Sequence, residues 1–102
     1  MTADVYAGDL RLPEGAKGTR GAATFNVVAD AHADVLVRVV ATLNLLNVAP
    51  RLFHMESRPE EGTAALRALV DCAEPQAVLI ARKLQQITSV RDVVMNYAAI
   101  EP

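Results

Sequence analysis

The stretch Ala22–Ala23–Thr24–Phe25–Asn26–Val27–Val28–Ala29–Asp30, followed after a short polar break by Val35–Leu36–Val37–Arg38–Val39–Val40, decides the fold. Its first half alternates: Phe25, Val27 and Ala29 share one side, and Thr24, Asn26 and Asp30 the other. That period belongs to a half-buried β-strand. Ala31–His32–Ala33–Asp34 breaks the alternation, and Asp34 is of a residue type that caps helices. From Val35 to about Leu46 the apolar positions Leu36, Val39, Val40, Leu43 and Leu46 or Asn47 recur at helical spacing, with Arg38, Thr42 and Asn44 on the wet side. The β-branched residues here favour strand, but spacing sustained over the whole segment outweighs propensity.

Downstream, Pro50 cannot continue a helix. Arg51–Ser57 reads as extended, and Arg58–Pro59–Glu60–Glu61–Gly62–Thr63 has the composition of a hairpin loop. Ala64–Cys72 then alternates with Leu66, Ala68, Val70 and Cys72 inward and Arg67 and Asp71 outward, so the pair is expected to form a β-hairpin. Glu74–Pro75 opens a second helix with proline at its first helical position, and Ala77, Ile80, Ala81, Leu84 and Ile87 form its buried stripe. A last strand runs over Val90–Tyr97, with Val93, Met95 and Tyr97 on one side. The order βαββαβ predicts an α+β, ferredoxin-like domain: a four-stranded antiparallel sheet with both helices on one face. The opposite face is predicted to carry Asn26, Val28, Leu52, His54, Glu56, Arg67, Leu69, Val94 and Asn96, a mixed surface suited to a partner.

A chain of 102 residues has room for one such domain, here 22–98. Residues 1–21 hold four of the five glycines and no sustained period, and are expected to be a flexible arm. Apolar residues make up 52% of the chain and charged residues 22%, which predicts a packed core. With only two Phe, two Tyr and no Trp, that core must be built from Val, Leu, Ile and Ala.

The net charge of −2 and the scattered basic residues argue against nucleic acid as a partner. No run approaches the roughly 18 consecutive apolar residues of a membrane span. The N-terminus carries Asp4, Asp9 and Glu14 without an apolar block, unlike a signal peptide. Cys72 is the one cysteine, so neither an internal disulfide nor a cysteine metal cluster is expected. A cytoplasmic protein fits these features.

Catalytic chemistry is not apparent. His32 and His54 lack metal-ligand spacing, and His32 with Asp30 or Asp34 falls short of the about four ligands a structural metal wants. Ser57 and Ser89 lack the turn of a nucleophile elbow, and no glycine-rich phosphate loop is present. The expectation is no enzyme, no cofactor and no metal. Two features remain. One is the junction Asp30–Val35, where a helix N-terminus could hold a carboxylate or could be an ordinary helix start. The other is Asn47, either a helix-terminating residue or a ligand contact.

Phe25–Asn26–Val27–Val28–Ala29–Asp30, then Val35–Leu36–Val37–Arg38–Val39–Val40, then Asn47–Val48, resembles the amino-acid-sensing ACT domain. Leu84 to Val93 is similar to the closing stretch of that family. Arg38–Val39–Val40 and Leu84–Val93 resemble in particular the small regulatory subunits of acetolactate (acetohydroxyacid) synthase. The resemblance covers about Ala22–Tyr97. It implies a homodimer with one continuous sheet, a small amino acid bound near the first strand–helix turn, and activation of a thiamine-diphosphate-dependent catalytic large subunit in branched-chain amino-acid synthesis. By motif position the ligand-binding residues would be Val35, Leu36, Asn47 and Val48. The glycine usual at the turn is Asp34 here. Its carboxylate would repel that of an amino acid, and a side chain at that point limits close approach to the backbone. A stand-alone amino-acid sensor is the second reading. A small acylphosphatase-type hydrolase using Arg20 is a third, although nothing near Arg20 forms a phosphate cradle.

Overall fold

In the computed structural model, residues 20–32 and 34–100 are described. The elements follow the order β1 (Arg20–Asp30), α1 (Val35–Leu45), β2 (Leu52–Arg58), β3 (Thr63–Asp71), α2 (Glu74–Gln85) and β4 (Val90–Ile100). The strands form one antiparallel-paired sheet in the order β2-β3-β1-β4. Thus α1 crosses over β3 to reach β2, and α2 crosses over β1 to reach β4. Right-handed crossovers place both helices on the same face. This is the βαββαβ arrangement the periodicities predicted. β1 begins at Arg20, so Arg20 and Gly21 belong to the sheet and not to an arm; the rest of the expected arm, residues 1–19, lies outside the described residues.

The alternation in β1 becomes alternate burial: Gly21, Ala23, Phe25, Val27 and Ala29 face inward. Phe25, at 0% exposure, lies at the centre of a core that includes Val35, Val39 and Leu43 of α1, Leu66 and Val70 of β3, Ile80 and Leu84 of α2, and Val93. Each such side chain contributes about 1.5–3 kcal/mol through its removal from water. Two positions in α1 depart from the predicted stripe. Val35 is fully buried, whereas Val40 is half exposed. The stripe runs Val35–Val39–Leu43–Leu46, at the i, i+4 and i, i+3 spacings that keep one side toward the sheet.

Helix α1 stops before Pro50 is reached. The Val48 amide donates to the Leu43 carbonyl (2.9 Å) and the Asn47 amide to the Asn44 carbonyl (3.0 Å). Asn47 takes a left-handed backbone, φ 58°. These are the paired bonds of a Schellman motif, with Asn47 as the left-handed residue. The β2–β3 hairpin turns similarly on Gly62, φ 68°, a conformation that favours glycine.

Candidate functional site: the first strand–helix turn and the ends of helix α1

The turn after β1 is held by its own backbone and by two neighbouring loops. The Asp30 amide donates to the Ser89 carbonyl (2.8 Å), and the Ala31 amide to the Gly62 carbonyl (3.0 Å). His32 donates to the Asp30 carbonyl (2.8 Å), and Val35 to the His32 carbonyl (3.2 Å). The β1–α1, β2–β3 and α2–β4 connections therefore meet at one end of the sheet. A side-chain tie reinforces them. The β1–β4 register slips between Val28, which faces Asp92, and Ala29, which faces Val90. Arg91 is the extra residue at this irregularity, and its guanidinium hydrogen-bonds the Asp30 carboxylate. Register irregularities of this kind re-aim a side chain.

Asp34 occupies the N-cap position, but its side chain makes no capping bond. Its carboxylate instead accepts from Arg38 Nε at 2.8 Å, four residues along the helix. That hydrogen bond is the main reason the Asp34 carboxyl is held below its ordinary pKa. Both side chains are about half exposed, so the pair adds little stability. Its effect is local: Arg38 offsets the negative charge that Asp34 brings to the turn. The Asp-x-x-x-Arg spacing was visible in the sequence and could have pointed to this pair.

The ligand residues implied by the resemblance fall into two groups. Val35 is fully buried, so its side chain belongs to the core, and Leu36 beside it is half-buried. Asn47 is exposed and Val48 half-buried, both beyond the other end of α1. Twelve residues of helical rise put the groups roughly 18 Å apart. One protomer does not bring them around a single small molecule. No group of three or more His, Cys, Asp or Glu side chains suited to a metal ion occurs among the described residues. Nor is any described helix long and apolar enough to cross a membrane.

No family model matches the sequence, and no curated protein matches it. Solved structures do. The crystal structure of the ACT domain from GTP pyrophosphokinase of Chlorobium tepidum superimposes with a TM-score of 0.67 at 11% identity, covering 76% of this chain and all of that one. An uncharacterized protein from Thermotoga maritima gives 0.61 at 15% identity, over 80% of this chain and 99% of that one. The C-terminal domain of the MgtC protein from Mycobacterium tuberculosis gives 0.58 at 12% identity, over 80% and 90%. At these identities the shared property is the architecture: this chain has the ferredoxin-like βαββαβ fold in which the ACT domain is built.

Proposed function

We propose that this chain is a non-catalytic regulatory domain of the ACT type, acting as a homodimer that responds to a small amino acid. The observation that carries the reading is the superposition on the full length of an ACT domain. The surface of the chain supports the dimer. Helix α1 is apolar on more than its core side: Val37, Val40 and Leu45 are 66%, 49% and 76% exposed. The strand that follows it in the chain, β2, is an edge strand whose outer backbone groups have no strand partner among the described residues, and it carries the partly exposed Met55. Exposed strand edges and wide apolar helix faces both favour a second chain.

Two-fold pairing along the β2 edges would run the two α1 helices antiparallel. Val35 and Leu36 of one protomer would then approach Asn47 and Val48 of its partner, which accounts for one site drawing on residues about 18 Å apart in a single chain. Asp34 with its Arg38 partner would lie at the rim of that site.

The more specific reading is a small subunit that activates the thiamine-diphosphate-dependent large subunit of a branched-chain amino-acid synthase. It rests on Arg38–Val39–Val40 and Leu84–Val93. Adding the purified chain to such a large subunit should raise its turnover; no stimulation and no association would reject this version. Light scattering tests the dimer, for which a monomer at micromolar concentration is the contrary result. Thermal-shift measurements against the amino acids test sensing. A ligand at 100 times its Kd should stabilise the dimer by about 2.7 kcal/mol. Binding without stimulation would favour the stand-alone sensor.

A further inference from the structure

The sheet face opposite the helices carries a groove that the regulatory reading does not use. Its floor is Ala65 of β3, which lies between Glu56 of β2 and Val28 of β1. A single methyl among longer side chains leaves a depression, an open cavity of about 300 Å³. One step along the sheet, Arg67 stands between His54 and Asn26 in register. Arg58 reaches the same cavity from the edge strand.

These groups are arranged with their charges open. Arg67 Nε donates to Asn26 Oδ1 at 3.3 Å, which holds the guanidinium by one nitrogen and leaves its two terminal amino groups for another acceptor. The ion pairs among the described residues are Asp34–Arg38, Arg51–Asp71 and Asp30–Arg91. Glu56, Arg58 and Arg67 belong to none of them. The groove thus presents two guanidiniums against one carboxylate, on a chain whose net charge is −2. Forked guanidinium donors match the paired oxygens of a carboxylate or phosphate.

We infer that this groove binds a small oxyanionic molecule, with Arg67 and Arg58 holding its carboxylate or phosphate group over Ala65. Glu56 at the rim accepts a hydroxyl or ammonium group of the ligand and lowers affinity for a bare anion. Asn26 is a positioning residue that orients Arg67. The site is separate from the α1 termini and stands independently of the regulatory reading.

Backbone amide NMR of the full chain, titrated with inorganic phosphate in one arm and acetate in the other, tests the assignment. Saturable shifts confined to 54–58, 65–67 and Asn26 are expected with at least one probe, and the tighter one identifies the oxyanion. Arg67→Ala and Arg58→Ala should each weaken binding about tenfold. Glu56→Gln should strengthen bare-anion binding about threefold by removing a like charge. Arg82→Ala, on α2, should change nothing. The inference is overturned by the absence of saturable shifts with both probes, by shifts dispersed over the surface, or by an Arg67→Ala protein that is folded and binds as before. Arg67→Lys provides the second variant: charge without the fork should leave binding weaker than in the parent chain, and equal affinity would remove the fork from the account.

Discussion

Tyr97 occupies the space that a β-carbon on Gly21 would need. A Cβ built at Gly21 would stand 2.4 Å from the Tyr97 hydroxyl oxygen and 2.3 Å from the Ala98 carbonyl oxygen. From that position the Tyr97 hydroxyl donates to the Cys72 carbonyl at 3.0 Å, while the Cys72 amide donates to the Gly21 carbonyl at 3.0 Å. The start of β1, the end of β3 and the distal part of β4 are locked together where α2 is about to begin.

Gly21→Ala should therefore destabilise the domain by about 1–3 kcal/mol, since backbone must move to admit the methyl. Tyr97→Phe removes only the hydroxyl bond and should cost about 1 kcal/mol. Urea unfolding of both variants measures the difference. Equal stability of Gly21→Ala and the parent would show that the strands separate there at little cost.

At the other end of α1, the left-handed backbone of Asn47 makes an asymmetric prediction. Asn47→Gly should retain the helix terminus, whereas Asn47→Ala keeps the β-carbon but loses the short polar side chain that makes a left-handed backbone tolerable to asparagine, and should cost about 1 kcal/mol. Thermal unfolding of the two variants should rank them in that order.

The Asp34–Arg38 hydrogen bond predicts a proton-linked effect. In Arg38→Ala, the Asp34 carboxyl should titrate at higher pH than in the parent chain, measurable by side-chain carbon NMR. Asp34 has a depressed folded pKa, so its contribution to stability is present above its unfolded pKa and lost as pH falls through the folded value. The contribution is small because the pair is exposed. An unchanged Asp34 titration would remove Arg38 as the cause.

Burial pushes the Cys72 thiol up to about 11 from 9.0, with the Asp71 carboxylate adding to the shift. At pH 8 the thiolate population, and with it alkylation by iodoacetamide, should be on the order of a hundredfold lower than for an exposed cysteine. The stability linked to the neutral thiol is whole below its unfolded pKa and declines as pH rises through about 11. Rapid alkylation of the folded chain at pH 8 would contradict this environment.

Substitution in the core tests the packing directly. Ile80 is fully buried between α2 and the sheet, and Ile80→Ala should cost about 2–5 kcal/mol in urea unfolding. Ala81 beside it is only half-buried, so Ala81→Ser should change stability much less.

Much of this architecture was legible because alternation and helical spacing are local properties. Phe25, Val27 and Ala29 identify the inner side of β1 before any partner strand is known. Leu84 and Ile80 do the same for α2. The open-face residues Asn26, His54, Glu56 and Arg67 were also placed on one surface by period alone. The buried stripe of α1 is less legible, because the helix carries valine and leucine on several sides and apolarity alone does not single out the inward one. Val35 lies in the core although the expected stripe leaves it out, while Val40, expected inward, is half exposed.

The sequence by itself determined the order of elements, the inward side of each strand and the positions where helices begin, since each depends on residues within a few positions of one another. Only the tertiary structure decided what Asp34 does, how Tyr97 depends on Gly21, and that Ala65 forms the floor of a charged groove. Those relationships depend on strand register and on which loops meet at one end of the sheet. Arg67 reaches Asn26 across 41 positions of sequence, and Arg91 reaches Asp30 across 61. No local periodicity encodes such pairings; they arise when β3 and β4 settle on either side of β1.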